Sequence, residues 1–350
     1  MRNPRASKTW STTPSAACSI SLISTRVLCA AGGERREWSE VTIRIAADPE
    51  TLAPEPRAAF LSDDAIEILS FAARSLEEGQ PTALITLVDI RGGAARALGA
   101  QMVVRGDGLY CGFVSGGCTE AAVAADAMSA LNKRMDRLLR LGEGSPFFDI
   151  VLPCGGGITL AIHVLEDAAV LSQALSALQR RSPVGLRYHP GKRTLSLQRG
   201  EEASGWYGDC FVRAYRPRPR VVIAGTPLEI DTVARIAVAA GYETVTLARG
   251  QIPSPDELDA DTAVALLFHD VDRELPMLSA ALASRAFYIG ALGSRRTHAK
   301  RCQLLRDGGG DERLLSRIKA PIGLFDKARD ARSLAVSVVA DIAHARLRLD

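Results

Sequence analysis

One stretch in the second half of the chain restricts the possible folds more than any other. Residues 221–224 form a short apolar run, Gly225 follows, and apolar side chains then recur at helical spacing up to Gly241. A strand-like run at residues 244–247 completes a strand–helix–strand unit, whose long crossover connection makes the two strands parallel. Two later apolar runs extend the sheet, at residues 263–268 and 286–289. We therefore expect a Rossmann-like, doubly wound parallel-sheet domain over residues 221–350.

The first half of the chain predicts a different architecture, with helices beside antiparallel strands. Residues 62–64, Ser-Asp-Asp, are suited to cap a helix that ends at Gly79. Residues 105–108, Arg-Gly-Asp-Gly, are typical of a hairpin turn. The other predicted elements are strands at residues 83–88, 101–104, 109–114, 148–152 and 158–165, helices at 118–132 and 168–180, and weaker strands up to residue 215. These elements favour an α+β domain over residues 61–215.

Two segments outside these domains differ in composition. Residues 216–220, Arg-Pro-Arg-Pro-Arg, combine prolines that interrupt regular structure with readily solvated charges, so we place the domain linker there. Residues 1–60 are predicted to be a disordered extension. The first 33 residues carry Arg and Lys but no Asp or Glu, as transit peptides do, but an unstructured extension or a start codon placed too early is the favoured explanation.

The overall composition excludes several classes of protein. With 43 Lys and Arg against 40 Asp and Glu, the formal charge of +3 is too small to indicate a nucleic-acid-binding protein. No apolar stretch approaches the ~20 residues that span a bilayer. Seven cysteines, an odd number without a convincing secretory signal, favour reduced thiols in the cytoplasm. A protein or a small molecule is the expected partner.

The densest candidate site is the segment Ser115-Gly116-Gly117-Cys118-Thr119-Glu120, where a predicted strand leads into a predicted helix. Backbone N–H groups at a helix N-terminus attract anions, and the glycines allow a phosphate or an oxyanion to approach closely. The same field favours the thiolate of Cys118, which would suit a nucleophile, a sulfur carrier or a soft-metal ligand. The alternative is a tight turn with a small buried cysteine. Glu120 either contributes to the site or complements the helix dipole.

Two further glycine-rich loops follow predicted strands. They are Cys154-Gly155-Gly156-Gly157 and Arg91-Gly92-Gly93-Ala94-Ala95-Arg96. The separation of Cys118 and Cys154 fits no zinc-finger spacing, but their two loops could face one ligand. Arg96 either forks onto a phosphate or carboxylate or is a surface arginine. Cys111 is expected to be a core cysteine.

The second domain lacks the usual dinucleotide-binding signature. Gly225 is followed by Thr226-Pro227-Leu228, so the pattern G-x-G-x-x-G is absent. Ala248 stands where a ribose-binding carboxylate is expected. NAD and NADP are therefore disfavoured as ligands.

Other candidate side chains follow the later strands of this domain. His269, with Asp270 beside it, follows one strand, and Ser294 and Arg295 follow the next. Open α/β sheets bind ligands at this edge. His269 is either an acid, a base or a ligand, or it forms a structural pair with Asp270.

In their order along the chain, these motifs resemble those of the xanthine dehydrogenase accessory (XdhC/CoxI) family, from Ser62 to the C-terminus. The motifs that carry the resemblance are residues 92–96 with 99–102, 112–120, 154–157, 269–270, 288–295 and 320–324. The sequence departs from the family where residues 226–228 replace Ala-Gly-His, Ala248 replaces a common Asp, residues 325–327 replace Asp-Ile-Gly, and Ala95 replaces a proline. These departures put nucleotide binding in doubt and leave the loops around Cys118 and Cys154 intact.

The resemblance implies a function and a set of site residues. Members of the family bind the molybdenum cofactor, protect it while a terminal oxo ligand is exchanged for sulfur, and deliver it to an apo-hydroxylase. By this resemblance Arg96 and the helix N–H groups would bind the phosphate of molybdopterin, and Cys118 or Cys154 would ligate molybdenum or relay sulfur. The rest of the predicted cofactor site is Ser115, Gly116, Gly117, Glu120, Gly155, Gly156, His269, Ser294 and Arg295.

We therefore expect a cytoplasmic chaperone that turns over no substrate of its own and acts as a homodimer. Its expected partners are a xanthine-dehydrogenase-like molybdenum hydroxylase, a cysteine desulfurase and the proteins of molybdenum cofactor biosynthesis. Two alternatives are a nucleotide-dependent oxidoreductase or transferase and a pure docking module whose second domain holds the client.

Overall fold

The structure is a computed structural model that describes residues 54–117, 119–143, 155–200 and 202–348. Within these residues the chain forms three β-sheets with helices packed against them. The predicted extension up to residue 53 and the predicted strand at residues 148–152 lie outside the described residues. None of the described helices is both long and apolar enough to cross a membrane.

The first sheet has six strands in the order β1-β4-β3-β2-β6-β5. They are β1 (Arg57–Ala58), β2 (Thr82–Arg91), β3 (Gln101–Arg105), β4 (Leu109–Gly112), β5 (Arg137–Gly142) and β6 (Gly157–Val164). The predicted hairpin is confirmed, because β3 and β4 pair antiparallel with Val104 opposite Tyr110. Since β2 is antiparallel to both β3 and β6, and β6 to β5, the ends of β2, β4 and β5 and the start of β6 lie at one edge of the sheet.

Three helices cover the two faces of this sheet: α1 (Ala65–Glu77), α2 (Glu120–Lys133) and α3 (Ala169–Gln179). Asp64 caps α1 as the sequence predicts, because its Oδ1 accepts the N–H groups of Ile66 and Glu67. On one face α2 packs through residues such as Val123 and Leu131. On the other face α1 and α3 form a second apolar cluster.

A second, antiparallel sheet of four strands follows in the order β8-β7-β10-β9. Its strands are β7 (Val184–His189), β8 (Thr194–Arg199), β9 (Gly205–Tyr207) and β10 (Cys210–Tyr215). Val184, Leu186 and Tyr215 pack against α1 and α3, so the first two sheets share an apolar core. This arrangement is the α+β architecture predicted for the first half of the chain.

The third sheet is parallel, in the order β12-β11-β13-β14-β15. Its strands are β11 (Arg220–Gly225), β12 (Glu243–Thr246), β13 (Thr262–Leu267), β14 (Tyr288–Ala291) and β15 (Ile318–Lys319). Helices α4 (Pro227–Ala239) and α8 (Ala331–Arg346) cover one face, and α5 (Val271–Ala283), α6 (Arg295–Asp307) and α7 (Glu312–Leu315) cover the other, with a short 3-10 helix at Pro255–Glu257. Val221 and Ile223 face the first group while Val222 and Ala224 face the second. The predicted Rossmann-like, doubly wound sheet is confirmed.

Two strands of the first sheet are absent from the sequence prediction. β1 lies within the predicted disordered extension, where it pairs with β4 at the sheet edge and the neighbouring prolines are tolerated. β5 follows α2 and pairs with β6, with Leu139 and Leu141 turned into the core. The α2 helix itself begins at Glu120, two positions later than predicted.

The arginine–proline linker is more ordered than its composition indicates. Arg220 is the first residue of β11, which corrects the prediction that this residue belongs to the linker. Arg216 forms an ion pair with Asp261, and Arg218 forms one with Asp64. The segment is therefore fixed between the two halves of the chain by its charges.

Candidate glycine-loop site

Three glycine-rich loops meet at one edge of the first sheet. The loop at residues 92–96 follows β2, the loop at residues 113–119 follows β4, and the third ends where β6 begins. A Cβ on Gly116 would lie 3.0 Å from the Cβ of Ala95, which shows how closely the first two loops approach. The structure thus brings together the predicted positions Arg96, 115–117 and 155–156. Cys118 and Cys154, which adjoin these glycines in the sequence, lie outside the described residues.

The buried side chain of Glu120 organises the loop before α2. Its Oε1 accepts the N–H groups of Val114 at 3.1 Å and Ser115 at 2.9 Å. Its Oε2 accepts the Ser115 hydroxyl at 2.8 Å and the N–H of Thr119 at 3.1 Å. Burial alone would raise the pKa of Glu120, but these hydrogen bonds outweigh it and hold the pKa below its usual range. Because both oxygens serve the loop, Glu120 shapes the site and is not free to contact a ligand.

Gly116 and Gly117 form the open part of this loop. Their φ angles are 94° and 106°, in the left-handed region that side chains avoid. No described residue accepts a hydrogen bond from either N–H group. A Cβ on Gly117 would have no atom within 4 Å, so the backbone is accessible there. Accessible N–H groups just before a helix suit an anionic oxygen.

Gly156 joins the third loop to the first. A Cβ at this position would collide with the carbonyl oxygens of Gly93 and Arg91, so only glycine allows the two backbones to come this close. Gly155, one position earlier, faces open space instead. Of these two glycines, both of which the sequence predicts to approach a ligand, Gly156 packs against the first loop and Gly155 remains accessible.

Arg91, the last residue of β2, and Arg96, in the first loop, make different contacts. Arg91 donates from Nη1 to Thr159 at 2.8 Å and from Nε to the carbonyl of Glu143 at 3.2 Å, so it ties β2 to its neighbours. Arg96 forms an ion pair with Asp63 at 3.1 Å, with the two side chains 30% and 67% exposed. Because an exposed pair of this kind is weak, Arg96 can exchange Asp63 for an anionic ligand.

Two adjoining cavities lie beside the loops. The smaller, of about 360 Å³, is lined by Leu61, Ser62, Asp63, Arg96, Phe113 and Gly116. The larger is a cleft of about 950 Å³, which shares Asp63 and Arg96 with the smaller one. Its walls come from α1, from the end of β10 with residues 216–219, and from the end of α8. The cleft thus opens between the two halves of the chain and has the volume of a small-molecule site.

The crevice of the parallel sheet carries groups that do not suit a phosphate. The strand order places its switch point between β11 and β13, where such sheets usually bind nucleotides. Thr226 spans this point, because its N–H and its hydroxyl both donate to the carbonyl of Leu267 at 3.0 Å. Pro227, at the start of α4, has no N–H to offer, and Glu229 places a carboxylate in the first turn. These features oppose phosphate binding.

His269 has a different partner from the one that the sequence indicates. Its Nε2 lies 3.4 Å from Oε1 of Glu229, with the histidine side chain 69% exposed. Asp270 instead caps α5 by accepting the N–H of Asp272 at 3.1 Å. The expectation of a structural pair between His269 and Asp270 is therefore wrong.

Ser294 and Arg295 lie at the start of α6. Ser294 caps this helix by accepting the N–H of Thr297 at 3.2 Å, and Arg295 is exposed. Neither of them, nor His269, lines the cleft or the smaller cavity. These three predicted site residues therefore do not join Arg96 at the cavities beside the glycine loops.

The described residues contain no group of three or more His, Cys, Asp and Glu side chains that could hold a metal ion. Cys111 is fully buried, and burial raises the pKa of its thiol to about 12, which confirms it as a core cysteine.

Arg213 lines the cleft and is missing from the sequence-based candidates. Its Nη1 donates to the Ser204 hydroxyl at 3.1 Å and to the carbonyl of Ala214 at 2.8 Å. Its guanidinium lies 5.2 Å from the centre of the Tyr215 ring. The available sequence signal is an arginine placed among apolar residues of a strand, between Val212 and Ala214.

Comparison with known proteins gives a consistent result for both halves of the chain. Residues 221–342 match the XdhC Rossmann domain, and residues 75–142 match the XdhC and CoxI family. The chain is 50% identical over 293 residues to the molybdenum cofactor insertion chaperone PaoD of Escherichia coli (strain K12), a match that covers 84% of this chain and 92% of that protein. It is 23% identical over 330 residues to a probable xanthine dehydrogenase subunit of Bacillus subtilis (strain 168), covering 78% of this chain and 96% of that protein.

A solved structure shares the fold. The crystal structure of a xanthine dehydrogenase from Bacillus halodurans matches with a TM-score of 0.64 at 19% identity, over 81% of this chain and 96% of that one. Together with the 50% identity over most of a relative's length and the matches to both domains, the sequence and the fold show that this chain belongs to the XdhC and CoxI family.

Proposed function

We propose that this protein is a chaperone that binds the molybdenum cofactor and delivers it to a xanthine-dehydrogenase-like molybdenum hydroxylase. The observation that carries the proposal is the convergence of three glycine loops at one sheet edge, next to Arg96 and an open cavity. The name of the relative that is 50% identical, a molybdenum cofactor insertion chaperone, supports it.

The cofactor is the cargo in this proposal, and the residues at the loops fit its chemistry. The open N–H groups of Gly116 and Gly117 suit an anionic oxygen, and Arg96 suits a phosphate. A thiolate from Cys118 or Cys154 is a suitable soft ligand for molybdenum. Glu120 keeps the first loop in shape with both of its carboxylate oxygens.

The chaperone, as we propose it, has one domain for the cofactor and a second, Rossmann-like domain. Residues 61–215 handle the cofactor while its molybdenum centre receives sulfur from a cysteine desulfurase, and residues 221–350 form the Rossmann-like domain. The protein takes its cargo from cofactor biosynthesis proteins in the cytoplasm and acts as a homodimer. Neither NAD nor NADP takes part, which agrees with the hydrogen bond of Thr226 across the crevice of the parallel sheet.

Three serine variants test this proposal. Each variant is purified, its bound molybdenum and pterin are measured, and its activation of a client hydroxylase is assayed. Cys118→Ser should fold normally yet retain less molybdenum and pterin and activate the client less, because the soft ligand is lost. Cys154→Ser should act in the same direction. Cys302→Ser, on α6, is the matched control and should behave like the parent chain. If Cys118→Ser retains as much cofactor and activates as well as the parent, the thiol has no part in cargo binding.

A further inference from the structure

The large cleft is lined by five arginines from distant parts of the chain. They are Arg96, Arg213, Arg216, Arg218 and Arg346. A guanidinium group suits phosphate because its planar donors match two phosphate oxygens at once. Which of the five can bind an anion depends on what already holds each of them.

Two of the arginines are committed to the fold. Asp261, whose side chain is 3% exposed, accepts Nε of Arg216 at 2.8 Å and Nη1 of Arg346 at 2.6 Å. Removing Arg216 or Arg346 would leave the buried carboxylate of Asp261 poorly compensated. This ion-pair cluster closes one wall of the cleft and is not a candidate for ligand exchange.

Two others are held by carboxylates that are at least partly exposed. Arg96 pairs with Asp63 at 3.1 Å. Arg218 pairs with Asp64 at 2.7 Å and with Glu67 at 3.1 Å, and the side chains of Arg218, Asp64 and Glu67 are 43%, 30% and 48% exposed. Exposed ion pairs contribute little to stability, so an incoming phosphate can replace the carboxylate at small cost. The remaining acid of the cleft, Glu202, already lies 3.6 Å from Arg187.

Arg213 is the cation that has no carboxylate partner among the described residues. Neutral groups hold it: the Ser204 hydroxyl and the carbonyl of Ala214. Its Nε is buried and has no hydrogen-bond partner in the described part of the chain. A Cβ on Gly99 would lie 2.6 Å from Cδ of Arg213, so the glycine leaves the space that this side chain occupies. A positive charge set into a cleft without a counter-ion attracts an anion.

The geometry points to this cleft as the binding site for the phosphate or pyrophosphate end of the cofactor, with Arg213, Arg96 and Arg218 as the groups that hold it. The inference rests on the proposed function. Because Arg96 and Asp63 line both cavities, one elongated molecule can reach from the loop at Gly116 to Arg213. Its metal end then lies at the glycine loops and its phosphate end in the cleft.

Calorimetric titration of the full chain with orthophosphate, pyrophosphate, ADP, CDP and GDP tests the site. Pyrophosphate should bind the parent chain, and Arg213→Gln should weaken this binding about 10-fold or more, the value of one hydrogen bond to a charged group. Arg96→Gln, which removes an exposed pair and so leaves folding intact, should weaken it as well. Arg235→Gln is the matched control, since Arg235 is 72% exposed and pairs only with Asp231 among the described residues.

The arms of this experiment separate the possible results. A nucleoside diphosphate that binds more tightly than pyrophosphate identifies a dinucleotide form of the cargo, and equal affinities identify a form with a terminal phosphate. Absence of pyrophosphate binding to the parent chain, or unchanged binding to both Arg213→Gln and Arg96→Gln, overturns the inference. If Arg213→Gln also retains the cofactor fully while Cys118→Ser loses it, the assignment of the cleft as the phosphate site is wrong and the chaperone function stands. A parent chain that never copurifies with the cofactor contradicts the proposed function itself.

Discussion

The hydroxyl of Ser115 donates a hydrogen bond to Oε2 of Glu120 at 2.8 Å, and the backbone N–H of Ser115 donates to Oε1 of the same carboxylate at 2.9 Å. A single buried acid therefore holds the residue that precedes Gly116 and Gly117. Glycines at positive φ gain no order from their own side chains, so the shape of this loop depends on Glu120.

Glu120→Gln should lower the free energy of unfolding by about 2 kcal/mol, because hydrogen bonds to a charged acceptor are replaced by weaker ones and one amide proton faces a donor. Urea unfolding measures this loss. The variant should also retain less molybdenum cofactor at a temperature where it remains folded. Glu77→Gln, on the exposed side of α1, is the control and should change neither quantity. Full cofactor retention by a destabilised Glu120→Gln would show that loop order and cargo binding are independent.

A second buried acid predicts the response of the protein to pH. Asp136 accepts a hydrogen bond from Tyr188 at 2.9 Å and lies 2.7 Å from Nδ1 of His163, so it joins the first sheet to the second. Burial would raise its pKa, but the contacts with His163, Val164 and Tyr188 lower it below the usual value. An acid whose folded pKa is depressed stabilises the fold above its unfolded pKa of about 3.9, and this contribution is lost as the pH falls through the folded pKa.

Asp136→Asn should therefore reduce stability at pH 7 and flatten the loss of stability in acid. Urea unfolding of both proteins at several pH values from 7 downward checks this, with Asp256→Asn on the exposed 3-10 helix as control. If the free energies of unfolding of the parent and of Asp136→Asn fall by the same amount as the pH is lowered, Asp136 does not contribute to the loss of stability in acid.

Much of the fold can be predicted from local sequence signals. The capping segment ending at Asp64, the turn at residues 105–108 and the βαβ unit at Gly225 each contain their signal within a few residues. β1 is different, because a two-residue edge strand forms only when β4 is already present beside it. The ion pairs of Arg216 and Arg218 likewise join residues far apart in the chain, so composition alone predicts a solvated linker.

The candidate site also has parts that the sequence predicts and parts that it does not. The glycine loops have a sequence signature, and the structure brings them together. The hydrogen bonds of Glu120 depend on loop geometry, and the cleft around Arg213 depends on how the two halves of the chain pack. Neither can be predicted from the spacing of residues. The absence of His269 from the lining of both cavities also follows from this packing.

The residues that follow β11 predict weak binding of dinucleotides. NAD and NADP should bind with dissociation constants well above about 1 μM, which corresponds to roughly −8 kcal/mol. Thr226 forms hydrogen bonds across the switch point, Pro227 lacks a donor, and Glu229 repels phosphate. Calorimetry with both nucleotides measures the affinity directly. Low-micromolar binding of either nucleotide would favour the oxidoreductase function instead.

A buried ion pair joins α5 and α6. Arg301 donates from Nη2 to Oε2 of Glu274 at 2.9 Å, and the two side chains are 0% and 1% exposed. Burial raises the pKa of Glu274 even though Arg301 lowers it, so the charged acid costs stability as the pH rises above its unfolded pKa, and the cost is absent below that value. Arg301→Met and Glu274→Leu should each lower the free energy of unfolding by about 3–5 kcal/mol, because each leaves one buried charge without its partner. The double variant should be more stable than either single variant, since no uncompensated charge remains. Urea unfolding of the four proteins gives this cycle, and additive losses in the double variant would show that the pair is not coupled.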